Sequence, residues 1–283
     1  MARKYLLYIS SILMIGQGLL SLVPMFAASP YLDGHNSYVV SRGSQPNHQS
    51  YYLAKQHLKT IFSDHKTTFY CHCPMVWPKV NLTQCLVGQD IAYLPKYSST
   101  EFEHLYPMDR FKKRLARIPF YRKLINQYCQ KKSRACLRKH IPIFSHFEGN
   151  MIHIRPVVKE LNRKRGTKWF YFEKVSQQQL SQKRFHCQIS FSHKYFYTPH
   201  RIKGNIARIM LSLHQSYSTF NLFTQDELEV LTNWHHVDPM DADEAKISAK
   251  ILGYQNHPYV AELLSRYHLA QEQKNSLGKA NQP

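Results

Sequence analysis

The sequence predicts one mainly helical α+β domain, and three observations support this prediction. The chain has 283 residues, of which 43% are hydrophobic and 20% charged. Such a chain can bury a core, and its mixed composition excludes collagen-like, coiled-coil and low-complexity proteins. Apolar residues recur at helical spacing in most segments, whereas strand-like runs are few and short. Because no repeat and no shift in composition marks a second core, we expect a single domain.

The first 28 residues have the three-part layout of a secretory signal peptide. Two basic residues precede an uncharged run over 5–32 whose centre is apolar, and the small pair Ala27-Ala28 lies near its end. The alternative is an uncleaved anchor, because this run is just long enough to span a bilayer. We expect cleavage, because Gly, Gln and Ser dilute the apolar run. The protein is then periplasmic or secreted, with membrane contact only if the segment stays uncleaved.

The remaining elements follow in chain order. Polar and turn-forming residues predict an irregular lead-in over 29–48, before a folded domain over 49–264 and a polar tail over 265–283 that we expect to fray. Within the domain, helical spacing predicts helices, and β-branched and aromatic runs predict strands. The predicted helices cover 51–62, 110–139 with a break at Pro119, 154–165, 206–217 and 225–234, and the predicted strands cover 67–73, 185–191 and 195–197.

Six cysteines agree with export and predict up to three disulfides. They are Cys71, Cys73, Cys85, Cys129, Cys136 and Cys187. An even number of cysteines behind an export signal is typical of a disulfide framework. A metal site is the alternative, but the single residue between Cys71 and Cys73 is too few for the usual zinc pair. We expect Cys129–Cys136 to form a local bridge and leave the other pairings open.

The charge balance points to a polyanion. The chain has 38 Lys and Arg against 18 Asp and Glu, a net charge of +20, which favours nucleic acid or, alternatively, an anionic membrane surface. Segment 105–168 contains 18 of the basic residues and only the acids Asp109, Glu148 and Glu160. One basic run alone is typical of a solvated helix face, but this concentration predicts a polyanion-binding face. The residues that we expect to bind phosphates are Lys112, Lys113, Arg114, Lys131, Lys132, Arg165 and Arg208.

Directly before the basic segment stands the pair Glu103-His104. A carboxylate that binds a divalent cation and an imidazole that takes a proton from water can together cleave a phosphodiester. Neighbours on a strand face opposite sides, so the pair can serve one site only if the backbone twists or turns there. No Walker loop, dinucleotide glycine fingerprint or Gly-x-Ser-x-Gly elbow occurs, so we expect no nucleotide cofactor.

A series of motifs over about 51–260 resembles the bacterial endonuclease I family in order and spacing. They include Phe69-Tyr70-Cys71-His72-Cys73, Glu101-Phe102-Glu103-His104, Cys129 and Cys136 flanking Arg134, Glu160-Leu161-Asn162, Lys203-Gly204 and Asn256-His257-Pro258. The resemblance implies a secreted or periplasmic nuclease built around a ββα-metal (His-Me finger) motif. We expect a monomer that contacts the phosphate backbone of DNA, with RNA left open, and has little sequence preference.

Carried over by position, the resemblance implies roles for individual residues. Glu103 would be a metal ligand and His104 the general base. Arg134 would contact the scissile phosphate, although Lys132-Ser133 replace the glycines that the family has before it. Glu160 and Asn162 match a Glu-x-Asn pair on a helix. Lys203-Gly204 and Arg208 match positions for helix packing or phosphate contact, and the sequence does not decide between these two roles.

The second metal ligand is the point at which the chain departs from the expected pattern. Counting back from Pro156 places it at His153, where we expect Asn in a family pattern Asp-x-His-Asn-Leu-x-Pro. The resemblance implies one divalent cation, Mg²⁺, whereas an imidazole favours Mn²⁺ or Zn²⁺. Three interpretations remain, in this order: a working ligand with altered metal preference, an inactive site in a protein that binds extracellular nucleic acid without cleaving it, or a shifted register in which Asn150 is the ligand. The first makes the chain a metal-dependent, non-specific endonuclease.

Overall fold

The structure, a computed structural model, describes residues 50–83, 85, 97–172 and 189–280. All of these residues belong to one compact unit, and they form a mainly helical α+β fold, as predicted. The helices are α1 Tyr51–Ile61, α2 Met108–Leu115, α3 Pro119–Tyr128, α4 Arg134–His140, α5 Pro142–Glu148, α6 Lys159–Arg165, α7 Lys203–Ser216, α8 Gln225–Val237, α9 Ala242–Leu252 and α10 Pro258–Ala280. The strands are β1 Met75–Val76, β2 Lys79–Asn81, β3 Tyr97–His104, β4 Ile154–Val158, β5 Trp169–Phe170, β6 Ser190–Phe191 and β7 Tyr195–Tyr197. Within these ranges, no helix is long and apolar enough to cross a membrane.

The larger sheet carries the functional pair. Its strands are antiparallel in the order β1-β2-β3-β4, and β3 pairs with β4 so that Glu103 lies opposite Arg155 and His104 opposite Ile154. Helix α6 begins directly after β4. Two antiparallel strands followed by a helix are the ββα arrangement that the resemblance implied. A smaller sheet has the order β5-β7-β6.

Strand β4 and helix α6 correct the predicted helix over 154–165. All five residues of β4 are buried, so no polar positions mark the alternation of the strand. A fully buried strand cannot be distinguished from a buried helix by periodicity alone. The β-branched residues Ile154, Val157 and Val158 favour the strand, and the helix starts only at the polar Lys159.

The predicted strand over 67–73 is a compact turn. Thr68 N–H donates to the Cys73 carbonyl at 3.0 Å, and the Thr68 hydroxyl accepts from Cys73 N–H at 3.1 Å. His72 adopts a left-handed conformation with φ of 48°, which reverses the chain. The aromatic and apolar residues in this segment therefore reflect burial in the core and not an extended backbone.

Helix boundaries follow their local caps. Pro119, which we predicted to break the basic helical segment, is the first residue of α3, where its missing N–H costs no hydrogen bond. Helix α8 starts with a capping box formed by Thr224 and Glu227.

The tail that we expected to fray from 265 onwards continues α10 to Ala280, with an ion pair between Glu262 and Arg266 at 2.5 Å one turn apart. The proposed domain boundaries remain predictions. The signal segment, the lead-in and residues 185–188 of the predicted strand over 185–191 lie outside the described residues.

Two disulfides are described. Cys129–Cys136 is the predicted local bridge, and Cys73 pairs with Cys85. Cys71 is also disulfide-bonded, which excludes the metal-site alternative for Cys71 and Cys73. Cys187 lies outside the described residues.

Helix packing accounts for the Lys203-Gly204 and Arg208 positions at the start of α7. A Cβ at Gly204 would lie 1.9 Å from the Asp238 carbonyl oxygen, so only glycine fits there. Arg208 is buried, forms an ion pair with Glu244 at 2.5 Å and donates to the Asp238 carbonyl at 2.5 Å. The guanidinium of Arg208 is thus bonded inside the fold, which favours the helix-packing role over the predicted phosphate contact.

Candidate active site

His104 is the last residue of β3 and is held against the end of α5. Its Nε2–H donates to the carbonyl oxygen of Glu148 at 2.9 Å, an acceptor that a helix C-terminus leaves without an internal partner. The lone pair of the ring is therefore on Nδ1, which lies 3.4 Å from Nη2 of Arg134. Burial, together with the charge of Arg134, lowers the pKa of His104 from 6.5 to about 3. The imidazole is neutral at ordinary pH and can accept a proton at Nδ1.

Glu148 organises the cationic side of this site. Its side chain is fully buried and accepts from two arginines. Arg134 donates through Nε, and Arg138 donates through Nε at 2.5 Å and Nη2 at 2.8 Å. One buried carboxylate thus fixes two half-exposed guanidinium groups. This role of Glu148 is not predicted from the sequence, although an isolated acid among 18 basic residues indicates that it could bind several of them.

Tyr51, at the start of α1, packs against His104 and the two arginines. Its ring centroid lies 5.1 Å from that of His104. The guanidinium carbons of Arg134 and Arg138 lie 5.7 Å and 5.8 Å from the Tyr51 ring centroid, within the range of a cation–π contact. Burial raises the pKa of Tyr51, and the charge of Arg134 opposes this shift. This residue was also missed, because an aromatic residue at the start of an amphipathic helix resembles ordinary core.

Glu103 is held in place by an arginine of α6. Its Oε1 forms an ion pair with Arg165, which also donates to the backbone carbonyls of His104 at 3.1 Å and Leu105 at 2.6 Å. Arg165 is only 1% exposed and belongs to the lining of the active-site cleft, where it neutralises Glu103 and ties α6 to β3. Its phosphate contact stays a prediction, with which the ion pair to Glu103 competes. Burial raises the pKa of Glu103, and the charge of Arg165 opposes this shift. Glu103 Oε2 is buried and has no well-formed hydrogen bond within the described residues, although an interaction with the Tyr70 hydroxyl helps to lower the pKa of the carboxyl.

A cleft of about 320 Å³ brings these groups together. Its lining includes Glu103, His104, Arg134, Asn162, Lys112 and Lys132. Neighbours on a strand would normally face opposite sides, but β3 ends at His104. Both side chains of the Glu103-His104 pair therefore reach the same cleft, which meets the condition set by the sequence analysis.

His153 does not line the cleft. It is fully buried, its Nε2–H donates to the Phe147 carbonyl at 2.8 Å, and its ring packs edge-on against His104 with centroids 5.1 Å apart. Asn150, the alternative ligand, is buried as well and accepts from Ile152 N–H at 3.0 Å. The geometry thus supports neither residue as a metal ligand.

Asn162 provides an oxygen donor that the sequence analysis had matched only to a helical pair. It lies on α6, lines the cleft and donates through Nδ2 to Glu101 Oε2 at 3.0 Å, which orients its amide. Mg²⁺ prefers oxygen ligands and usually keeps several waters, so it needs only one or two protein groups. Glu103 and Asn162 both line the cleft and offer oxygen donors, the kind of ligand that such a cation takes. The described ranges contain no group of three or more His, Cys, Asp or Glu that could hold a metal ion.

The remaining predicted phosphate-binding residues lie on helix α2 and on the loop before α4. Lys112 and Lys132 line the cleft, and Lys113 and Arg114 line an adjoining groove of about 240 Å³. Lys131 is exposed on the loop before α4. Asp109 pairs with Lys112 at 2.8 Å and with Lys113 at 2.7 Å.

Comparison with known proteins identifies a matching family. The family model described as Endonuclease I matches residues 51–262. The chain is 23% identical over 217 residues to Endonuclease-1 of Buchnera aphidicola subsp. Acyrthosiphon pisum (strain APS), covering 74% of this chain and 79% of that protein. It is 26% identical over 217 residues to the extracellular deoxyribonuclease of Aeromonas hydrophila, covering 74% of this chain and 87% of that protein.

Proposed function

Because the chain belongs to the endonuclease I family and is an endonuclease, we propose that it is exported and hydrolyses the phosphodiester bonds of DNA in the cleft around His104. The observation that carries this proposal is the neutral His104, whose Nδ1 lone pair lies beside Arg134 in a cleft that also contains Glu103. A proton acceptor, a phosphate-binding cation and a metal-binding carboxylate are the groups that metal-assisted hydrolysis requires. The described disulfides and the extracellular relative support export.

In the proposed mechanism each residue has one task. His104 takes a proton from the attacking water at Nδ1, while its Nε2–H stays bonded to the Glu148 carbonyl. Arg134, fixed by Glu148, binds the scissile phosphate and stabilises the charge that develops on it. Lys112 and Lys132 hold neighbouring phosphates at the cleft wall.

Glu103 and Asn162 are the residues that we propose to hold a divalent cation. When bound, such a cation supplies charge that stabilises the phosphorane and the leaving oxygen. Because both donors are oxygens, Mg²⁺ is favoured over Zn²⁺. Arg165 compensates the buried charge of Glu103 before the cation binds, so the carboxylate does not lie unpaired in the core.

Nicking of supercoiled plasmid tests this proposal. The purified mature chain is incubated with EDTA, Mg²⁺, Mn²⁺ or Zn²⁺, alongside His104→Ala and Asn162→Ala. We expect nicking with Mg²⁺ that EDTA and His104→Ala abolish, and a higher Mg²⁺ requirement for Asn162→Ala. The matched control is His153→Asn, which leaves the cleft lining unchanged. Nicking that survives His104→Ala, or a gel shift without cleavage in every metal, would refute the proposal.

A further inference from the structure

A second groove opens beside the active-site cleft, along the exposed face of α1. It has a volume of about 380 Å³, and its lining includes Tyr51, Tyr52, Lys55, Lys59 and Arg138. We refer to it as the α1 groove. Tyr51 lines both the α1 groove and the cleft, so a strand that leaves the scissile position over the Tyr51 ring enters the α1 groove directly.

Three side chains of the α1 groove, those of Tyr52, Lys55 and Lys59, form no ion pair or ring contact with another described residue, whereas Tyr51 and Arg138 contact groups of the active site. Tyr52, Lys55 and Lys59 are spaced at i, i+3 and i+7, which places them on one face of α1. The opposite face carries the buried residues of the helix and packs on the core. Tyr52 is 73% exposed, an unusual position for a large aromatic side chain.

The two lysines of the α1 groove have no carboxylate partner among the described residues, unlike the two lysines near the active-site cleft that bind Asp109. Lys112 and Lys113 pair with Asp109, whereas Lys55 and Lys59 form no ion pair within the described residues. Four residues of helix separate them by about 6 Å along its axis. An exposed ring with unneutralised cations on the same face is the combination that binds single-stranded nucleic acid, because bases stack on the ring and phosphates pair with the cations.

We propose that the α1 groove is a subsite for the nucleotides on one side of the scissile phosphate, where a base stacks on Tyr52 and phosphates pair with Lys55 and Lys59. The ligand class is a single-stranded stretch of the polynucleotide, because a base must be unpaired to stack on Tyr52. This inference rests on the proposed function and extends it by naming the binding site for the flanking strand.

Binding is measured by fluorescence anisotropy with a labelled 16-nucleotide DNA strand. Every protein carries His104→Ala, so that the strand stays intact during titration from 50 to 200 mM salt. We expect Tyr52→Ser to weaken binding about tenfold, within the range for loss of one stacked base, and Tyr52→Phe to restore it. Removing both cations with Lys55→Ser and Lys59→Ser should reduce the slope of log K against log salt by about 1.4, because each phosphate contact on a single strand contributes about 0.7.

The matched control removes the same charge elsewhere. Lys194→Ser with Lys274→Ser changes two exposed lysines outside the α1 groove and should leave the salt slope unchanged. Equal slopes in the two double variants, or binding by Tyr52→Ser within twofold of its parent, would overturn the inference. Plasmid nicking by the chain with His104 intact is measured in parallel. Absence of nicking counts against the proposed function alone, since the binding comparison does not depend on cleavage.

Discussion

Replacing Glu148 with Gln tests whether one buried carboxylate positions the phosphate-binding arginine. Glutamine keeps the shape of the side chain and one acceptor oxygen but removes the charge. The contact between His104 and residue 148 is to the backbone carbonyl, so it survives the substitution. Glu148→Gln therefore perturbs Arg134 and leaves the general base in place.

The magnitude follows from how buried each partner is. Removing one member of a fully buried pair costs about 3–5 kcal/mol, but Arg134 and Arg138 are 47% and 41% exposed and regain water when the charge is lost. The expected loss of stability is therefore nearer to that of one charge-assisted hydrogen bond, about 1.5–3 kcal/mol. Loss of a preorganised donor to a developing negative charge costs about 10²–10³ in kcat. Glutamine retains one contact, so we expect a decrease of about 10–100-fold.

The assay is plasmid nicking at saturating metal, with stability followed by urea unfolding. Arg138→Gln is the matched control at saturating DNA, because Arg138 shares the Glu148 carboxylate and lines the α1 groove but not the cleft, so its loss can raise KM without lowering kcat. We expect Arg138→Gln to lose stability with a decrease in kcat of less than about threefold. If Glu148→Gln keeps kcat within threefold of the parent, or if both variants lose activity equally, the positioning role assigned to Glu148 is refuted.

Three further predictions concern the surroundings of the site. His153→Asn should lower the free energy of unfolding by about 1–3 kcal/mol, because it disturbs a buried hydrogen bond. The ratio of Mg²⁺- to Mn²⁺-supported nicking should stay unchanged. A change in that ratio would indicate that His153 is a metal ligand. The double variant Cys129→Ser, Cys136→Ser opens the short loop that carries Arg134. It should lower the free energy of unfolding by about 2–3 kcal/mol and also lower kcat. An unaltered kcat would show that the disulfide does not position Arg134. Burial lowers the pKa of His257 from 6.5 to about 4, so the stability that comes from burying the neutral ring is complete above pH 6.5 and is lost as the pH falls through 4. His257→Asn should therefore reduce the slope of the unfolding free energy against pH in this window by up to about 1.4 kcal/mol per pH unit. An unchanged slope would contradict this prediction.

The amphipathic helices could be predicted from the sequence because each of them has one buried face. Helix α1 matches its predicted range within one residue, and Pro119 marks the start of α3 as a proline at a helix start does. The strand Ile154–Val158 could not, because all of its residues are buried and the period that distinguishes a strand from a helix is lost. The turn at 67–73 could not either, because its hydrogen bonds between Thr68 and Cys73 and the left-handed His72 leave no periodic signal.

In the candidate site, too, some residues could be predicted from the sequence and others could not. Glu103 and His104 were identified because two chemically specific groups are adjacent in the sequence. Arg165 and Arg208 were placed among the phosphate-binding residues because a basic side chain in a sequence does not reveal whether an acid lies within reach in the fold. Arg165 binds Glu103, which is 62 residues away in the sequence, and Arg208 binds Glu244, which is 36 residues away.

The end of β3 explains how two neighbouring residues can have separate chemical tasks. Glu103 is tied to α6 through Arg165, and α6 also carries Asn162, so the proposed cation ligands come from one strand end and one helix. His104 is tied instead to the end of α5 through the Glu148 carbonyl, and the Glu148 side chain fixes Arg134 at the start of α4. The proton acceptor and the phosphate ligand thus share one support, and the cation ligands share another. Because α6 holds one support and α4 and α5 hold the other, a substitution in one should alter mainly metal dependence or mainly phosphate positioning.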